Sequence, residues 1–164
     1  GWIRMTDKLL ELLNDNARYT NTELAAMLGL PEQQVETRIR ELEKEGVICG
    51  YKPLVNWEKT DSNLITALIE IRVTPQPDEG FETIAKRIMG FDEVESIYLM
   101  SGGFDFAVMV RGRTFQQVAM FVAKRLSPLE HVLSTATHFV LRRYKDMGVA
   151  LVGEKDDDRG IFSF

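Results

Sequence analysis

Near the start of the chain, apolar residues recur at helical spacing and predict two short helices. The first predicted helix starts at Thr6 and contains the apolar residues Leu9, Leu10, Leu12 and Leu13. The second has about two turns, because Thr20 and Glu23 have the spacing of a capping box and Gly29 suits the end of a helix. Residues 1–4 are interpreted as an extension that precedes this pattern.

A third helix is predicted over residues 31–45, and it separates an apolar side from a polar side. The apolar side holds Val35, Ile39 and Leu42. The opposite side holds four polar residues, which we call the outer stripe: Gln33, Thr37, Arg40 and Lys44. No carboxylate lies at the centre of the outer stripe, although Glu36 and Glu41 flank it.

The third helix is expected to end at Gly46, a residue that suits a left-handed helix cap. Residues 47–55 then read as an extended ribbon with a bend near Gly50. Three short helices followed by a ribbon predict a winged helix-turn-helix over residues 1–55. The polar stretch 56–63 is the predicted linker to a second domain.

After the predicted linker, apolar residues recur at every second position, which is the period of a β-strand. Pro75 and Pro77 end the first strand. The predicted elements are strand 67–73, helix 81–90, strand 94–101, strand 104–110, helix 115–126 and strand 132–144. Two β-α-β units joined by a tight turn predict a ferredoxin-like domain over residues 64–164, with both helices on one face of a four-stranded antiparallel sheet. The whole chain is therefore predicted to have an α+β fold.

Both faces of the predicted sheet carry apolar residues, which bears on assembly. The second strand places Ile97 and Leu99 on one face, and Val94, Tyr98 and Met100 on the other. Two helices cover only one face, and the other face would expose a larger apolar patch than monomers normally tolerate. We therefore predict a homodimer that forms mainly through this domain.

The chain has 164 residues and a formal net charge of −5, from 20 Lys and Arg against 25 Asp and Glu. This balance argues against binding to nucleic acid or membranes by bulk charge, but it leaves room for a local basic surface. The apolar runs are too short for a membrane span and no secretory signal is visible, so a soluble cytoplasmic protein without a membrane partner is expected. Cys49 is the single cysteine, which excludes an intrachain disulfide.

The outer stripe is the first candidate site, because its side chains suit the major groove of double-stranded DNA. Gln33 and Arg40 suit adenine and guanine edges, Thr37 suits a thymine methyl, and Lys44 suits a phosphate. The other candidate DNA contacts are Arg18, Gln34, Arg38, Tyr51 and Lys52. Two alternatives stay open: the stripe is an ordinary solvated helix face, and Arg38 pairs with Glu41 or Glu45 instead of a phosphate.

The second candidate site, which we call the glycine turn, consists of Ser101, Gly102, Gly103, Phe104 and Asp105. Its paired glycines allow close approach of a ligand and expose backbone N–H groups that suit a carboxylate, while Asp105 suits an ammonium group. A small amino acid carries both groups and is the ligand class that this turn fits. The alternative is a tight hairpin in which the glycines provide positive φ and Asp105 caps the turn.

Patterns for catalysis or metal binding are weak. His131 and His138 are seven residues apart, which places them on opposite faces of a strand, so a shared metal is not expected. No phosphate-binding loop, serine elbow or His-Glu-x-x-His pattern is present. Residues 156–158 are an acidic run typical of a solvated tail, and residues 160–164 suggest a docking strand. We therefore expect no enzyme activity and no cofactor.

In order and spacing, these motifs resemble the Lrp/AsnC family, also called feast/famine regulators, from Thr6 to about Phe164. The first domain shows the similarity in Asp15-Asn16-Ala17-Arg18, Glu23-Leu24-Ala25, Gly29-Leu30, Val35-Glu36-Thr37-Arg38-Ile39-Arg40-Glu41-Leu42-Glu43 and Gly46-Val47-Ile48-Cys49-Gly50-Tyr51. In the second domain, the glycine turn and Phe106 are similar to the family's effector-site turn. The segment Tyr144-Lys145-Asp146-Met147-Gly148 is similar to its closing segment.

The resemblance implies a cytoplasmic transcriptional regulator in which a winged helix-turn-helix precedes a ferredoxin-like effector domain of the RAM type. It also implies dimers that often assemble into tetramers or octamers, with an amino-acid effector bound where dimers meet. On this basis, Gly102, Gly103 and Asp105 match the effector turn. Arg38 matches the family's arginine position in the DNA-contacting third helix.

Two features depart from the family pattern. The third helix opens with Leu30-Pro31-Glu32, where the family usually has Ser before Pro, so a hydroxyl cap is lost. Residues 1–60 hold 8 basic and 10 acidic side chains, so DNA binding is expected to need several domains acting together. Two other functions stay open: a metabolite-binding module or small enzyme of ferredoxin-like fold without DNA binding, and an architectural DNA-binding protein without a ligand.

Overall fold

The computed structural model describes residues 1–74, 76–78 and 80–153. The chain divides into two compact units, Gly1–Val55 and a second unit that begins at Asn56. Within the part of the chain described, no helix is long and apolar enough to cross a lipid bilayer. Pro75, the acidic run 156–158 and the suggested docking strand 160–164 lie outside the described residues.

The first unit contains three helices, α1 (Trp2–Asp15), α2 (Asn21–Leu28) and α3 (Glu32–Lys44). The prediction that α1 starts at Thr6, after a separate extension, is wrong, because residues 2–5 belong to the helix. The cause is local: no glycine or proline follows Gly1 in this segment, and the Met5 N–H already donates to the Gly1 carbonyl at 3.1 Å.

The helix ends and the core of the first unit follow from its sequence pattern. The Thr20 hydroxyl accepts the Glu23 N–H at 3.1 Å, and Gly29 ends α2 with a left-handed φ of 67°. Gly46 follows α3 with a φ of 76°. The core is centred on the buried residues Leu9, Leu24, Val35 and Leu42. Residues 47–55 contain no helix and no paired strand, so the predicted ribbon is irregular chain.

The second unit begins with a short 3₁₀ turn, Trp57–Lys59, and then forms the expected α+β pattern. Its main elements are β1 (Ile65–Val73), α4 (Glu82–Met89), β2 (Val94–Leu99), β3 (Phe106–Gly112), α5 (Phe115–Phe121) and β4 (Val132–Phe139). The helix α5 continues as a π-helical turn, Val122–Leu126. The strands pair antiparallel in the order β2-β3-β1-β4, which confirms the ferredoxin-like arrangement.

One face of this sheet forms the core of the second unit. Alternate residues of the central strand β1 are fully or almost fully buried, namely Ala67, Ile69, Ile71 and Val73. They pack with Ile84 and Ile88 of α4 and with Val118 and Phe121 of α5. The alternation therefore divides the sheet into a helix-covered face and an open face, on which Leu68 and Glu70 lie.

Two strand predictions are corrected. The ladder between β2 and β3 changes register between Val94 and Ser96, so Val94 packs against the core together with Ile97 and not on the opposite face. The predicted strand 132–144 ends at Phe139. The Val140 N–H still donates to the Thr66 carbonyl, which continues the register in which Phe139 lies opposite Ala67, but the chain then leaves the ladder before the position opposite Ile65.

After β4 the chain forms a small hairpin of β5 (Lys145–Asp146) and β6 (Val149–Ala150). The hairpin is tied to the stretch that was predicted as a linker: the Asn56 side chain donates to the Leu151 carbonyl at 3.1 Å. Glu58 lies 3.7 Å from Arg142, with an ion pair between their charged groups. Residues 56–59 thus belong to the second unit.

Candidate DNA-binding helix and glycine turn

The structure places the four residues of the outer stripe on the exposed side of α3. Gln33, Thr37, Arg40 and Lys44 are all exposed, whereas Gln34 is half-buried at the margin. Val35 and Leu42 point into the core beneath them. Because the helix packs through its apolar side, the stripe forms a continuous polar surface of the kind that reads a major groove.

Arg40 of the outer stripe is paired with a carboxylate of the same helix. Its guanidinium Nη2 forms an ion pair with the Oε1 of Glu36, one turn earlier on α3. Arg40 is 75% exposed and Glu36 is 44% exposed, so both groups are accessible from solvent. A carboxylate that the sequence pattern placed beside the stripe is therefore joined to it.

Arg38 lies on a different side of α3 and is only 12% exposed. Its Nε donates to the Thr6 hydroxyl at 3.1 Å, and its Nη1 lies 2.9 Å from a Glu41 carboxylate oxygen and 3.8 Å from Glu45. This geometry matches the ion-pair alternative and holds α3 against α1. A phosphate contact by Arg38 stays a prediction.

The remaining candidates for DNA contact lie near the ends of the helices. Tyr51 is 47% exposed and Lys52 is exposed in the segment after α3, and Arg18 is exposed just before α2. Partial burial raises the pKa of the Tyr51 phenol above its usual value, and the negative charge of Glu43 raises it further. The phenol therefore keeps its proton at neutral pH and remains a hydrogen-bond donor suited to a phosphate.

The glycine turn connects β2 to β3 and is closed at its base by a hydrogen bond. The Met100 N–H donates to the Asp105 carbonyl at 2.8 Å. Ser101, Gly102 and Gly103 are exposed, and Gly102 has a φ of 122°, which only glycine adopts without strain. Phe104 is half-buried.

Asp105 connects this turn to the end of the central strand. Its N–H donates to the Ile71 carbonyl at 2.9 Å, and its Oδ2 accepts the Val73 N–H at 2.8 Å. Asp105 is therefore held in a fixed position by the backbone of β1. This side-chain hydrogen bond joins Asp105 to β1 and not to the turn itself, and it orients a half-buried carboxylate beside two exposed glycines.

Sequence reasoning missed a cleft of about 260 Å³ at the end of the second unit where β1 leaves the sheet. Gln76, Arg87, Glu130 and His131 are among its lining residues. His131 has a positive φ of 73°, and its Nδ1 lies 2.9 Å from the Gln76 side-chain nitrogen. These residues come from separate loops and a helix, so no local sequence pattern could have brought them together.

The two histidines lie at separate places in the second unit. His138 is on the open face of the sheet, where its Nε2 is 3.4 Å from a Glu70 carboxylate oxygen, and His131 lines the cleft. Among the residues described, no group of three or more His, Cys, Asp or Glu side chains could hold a metal ion.

The two units match two different families of known domains. The sequence profile of the Lrp/AsnC ligand binding domain matches residues 66–150, and a winged helix-turn-helix DNA-binding profile matches residues 6–48. The chain belongs to the Lrp/AsnC family. Both the resemblance and the fold class predicted from the sequence are thereby confirmed.

Individual relatives support the assignment over nearly the whole chain. The HTH-type transcriptional regulator YugG of Bacillus subtilis is 42% identical, covering 98% of this chain and 99% of that protein. The leucine-responsive regulatory protein of Haemophilus influenzae is 30% identical over 84% of this chain and 82% of its own. The fold matches the regulator NMB0573 of Neisseria meningitidis, crystallised with L-Met, with a TM-score of 0.70 at 24% identity, covering 90% and 95% of the two chains.

Members of this family are transcriptional regulators, and the helix-turn-helix is their DNA-binding part. This Lrp/AsnC protein is accordingly a DNA-binding transcriptional regulator and not an enzyme. The alternative of a metabolite-binding module or small enzyme of ferredoxin-like fold without DNA binding is overturned. Which residues contact DNA, and whether a ligand binds, stay predictions.

Proposed function

We propose that this regulator binds a small amino acid at the glycine turn, and that binding changes how its copies assemble on DNA. One observation carries the proposal: two exposed glycines precede Asp105, whose carboxylate is held in place by the Val73 N–H. The Neisseria meningitidis relative crystallised with L-Met supports an amino acid as the ligand class.

Each part of the turn has a role in this proposal. The ammonium group of the effector pairs with the Asp105 carboxylate, which can accept further hydrogen bonds beside the one from Val73. The effector carboxylate is bound by backbone N–H groups of Gly102 and Gly103, with Ser101 and Phe104 at the margins. The turn alone does not enclose a side chain, so a neighbouring copy completes the pocket.

The assembly begins with a homodimer through the open face of the sheet. Apolar side chains lie there in register, because Leu68 is opposite Met109 and Tyr98 is opposite Ala107. Tyr98 is 58% exposed, which a second copy would cover. Dimers then associate into tetramers or octamers, and the effector acts on that second level of assembly.

On DNA, α3 enters the major groove, where Gln33, Thr37 and Arg40 of the outer stripe contact base edges. The further contacts are with the backbone of double-stranded DNA and come from Arg18, Gln34, Arg38, Lys44, Tyr51 and Lys52. Since the chain is acidic, a single DNA-binding unit binds DNA weakly by charge alone. The two recognition helices of a dimer therefore act together. A change of assembly thus changes which pairs of half-sites are bridged.

The proposal is tested by calorimetric titration of the full chain with each proteinogenic amino acid, and by light-scattering mass with and without each ligand that binds. We expect at least one ligand to bind and to shift the mass distribution. The variant Asp105→Asn keeps an oxygen that can accept the Val73 N–H but loses the charge, and it should abolish binding.

Asp92→Asn is the matched control, because Asp92 is an exposed carboxylate of the same unit outside the glycine turn. Equal ligand affinity in Asp105→Asn and Asp92→Asn would remove the glycine turn from effector binding. No response to any amino acid, with DNA binding intact, would favour the regulator that works without a ligand.

A further inference from the structure

The ion pair between Glu36 and Arg40 lies on the surface that α3 presents to solvent. Other carboxylates of this helix are placed differently. Glu41 pairs with Arg38, Glu43 lies close enough to Tyr51 to raise the pKa of its phenol, and Glu32 is in the first turn, where the helix dipole favours an acid. Glu36 is the carboxylate of α3 that joins the outer stripe through one of its own members.

We propose that Glu36 is a specificity-determining residue, which restricts Arg40 to sites that present a G·C base pair. This role rests on the proposed reading of DNA by α3. Guanine offers two acceptors, O6 and N7, to an arginine, and the paired cytosine offers its N4 amino group to a carboxylate. Glu36 and Arg40 together therefore match both halves of one G·C pair.

Non-specific DNA offers Arg40 a phosphate in place of a guanine edge, and the change of partner then has a different energetic balance. Moving Arg40 from Glu36 to a phosphate replaces one anion by another and leaves the Glu36 carboxylate unpaired near a negatively charged backbone. The exposed pair is worth only about twofold in an equilibrium constant, so it opens readily when a better partner is present. A guanine edge is such a partner, because it engages Arg40 while cytosine engages Glu36.

The experiment compares two charge-matched variants of the full chain, Glu36→Gln and Glu43→Gln. Both remove one carboxylate from α3, but only Glu36 is paired with Arg40. A binding site is first selected from a randomised duplex library with the wild type. Fluorescence anisotropy then measures the affinity for the selected duplex and for a shuffled duplex of equal composition, over a series of KCl concentrations.

We expect Glu36→Gln to lower the ratio of the two affinities at least about fivefold, chiefly by tighter binding to the shuffled duplex. The salt dependence of that binding should steepen by about one phosphate contact for each bound helix. Glu43→Gln should change the ratio less than about twofold. Equal effects of the two variants would overturn the role of Glu36, since the effect would then be one of net charge.

The variant Arg40→Ala separates this inference from the proposed function. If Arg40→Ala leaves the selected sequence and the affinity unchanged, α3 does not read DNA and the proposed function fails with it. If Arg40→Ala weakens specific binding but Glu36→Gln behaves like Glu43→Gln, only the role of Glu36 fails. In the double variant, Glu36→Gln should change the ratio of the two affinities by less than about twofold beyond the effect of Arg40→Ala, because Glu36 acts together with Arg40.

Discussion

The two candidate surfaces of this regulator are built in opposite ways. The outer stripe consists of side chains on a regular helix, whose direction is set by the core residues Val35 and Leu42. The glycine turn consists of backbone groups and one acid, and that acid is positioned by Val73, 32 residues away in sequence. A helix surface therefore depends on packing beneath it, whereas the turn depends on a few long-range hydrogen bonds.

The largest expected effect comes from removing the packing beneath the outer stripe. Leu42 is 1% exposed, and Leu42→Ala should destabilise the first unit by about 2–5 kcal/mol, from lost burial and the cavity left behind. Urea unfolding measures this loss, and DNA binding should fall with it. Val47→Ala, at a residue that is 52% exposed, is the control and should cost less than about 1 kcal/mol. Equal losses in both variants would contradict the dependence on packing.

A smaller effect distinguishes two arginines of the same helix. Arg38→Ala removes contacts with Thr6 and Glu41 and should cost about 1–3 kcal/mol in the free energy of unfolding. Arg40→Ala, at an exposed residue, should stay within about 0.5 kcal/mol of the wild type. Thermal unfolding of both variants checks this difference. Similar stability of the two variants would mean that Arg38 does not hold α3 against α1.

The glycine turn is tested by separating the hydrogen bond of Asp105 from its charge. Asp105→Ala loses the bond from the Val73 N–H and should cost about 1–2 kcal/mol, while Asp105→Asn keeps an acceptor oxygen and should cost less than half of that. Denaturant unfolding measures both values. If Asp105→Asn is as unstable as Asp105→Ala, the charge itself stabilises the turn, and the loss of ligand binding in that variant has a structural cause.

The smallest effect concerns pH and Tyr51. Because burial and Glu43 raise the pKa of the phenol, its neutral form is favoured and ionisation is displaced upward from the usual value of about 10. The loss of DNA affinity in Tyr51→Phe should therefore be the same at pH 7 and pH 9, at about twofold to fivefold. Anisotropy titrations at the two pH values measure it. A loss that disappears at pH 9 would show that the phenol ionises within this range.

The sequence predicted the helices of the first unit because their signals are local. Thr20, Gly29 and Gly46 act on their own neighbours, and the caps they form are found at the expected residues. The predicted start of α1 at Thr6 is wrong because the preceding residues carry no signal that ends a helix, so the helix continues toward Gly1. The alternation of apolar residues also predicted β1, since this central strand buries every second residue.

The features that sequence reasoning missed depend on pairing between distant segments. The register change at Val94 is set by pairing with β3, and the end of β4 is set by where its pairing with β1 stops. The bond from Val73 to Asp105 and the cleft around His131 likewise join segments that are far apart in sequence. The pair between Glu36 and Arg40 has helical spacing, and its signal was present, but charge patterning alone did not show that the two side chains meet.

The placement of the two histidines gives this protein two spectroscopic reporters that need no labelling. The chain contains 2 histidines, one on the open face beside Glu70 and one in the cleft beside Gln76. Their imidazole proton resonances can be followed separately in one NMR spectrum and assigned by replacing either residue with glutamine. Association through the sheet would shift the signals of His138, and a molecule entering the cleft would shift those of His131, so one titration distinguishes the two events.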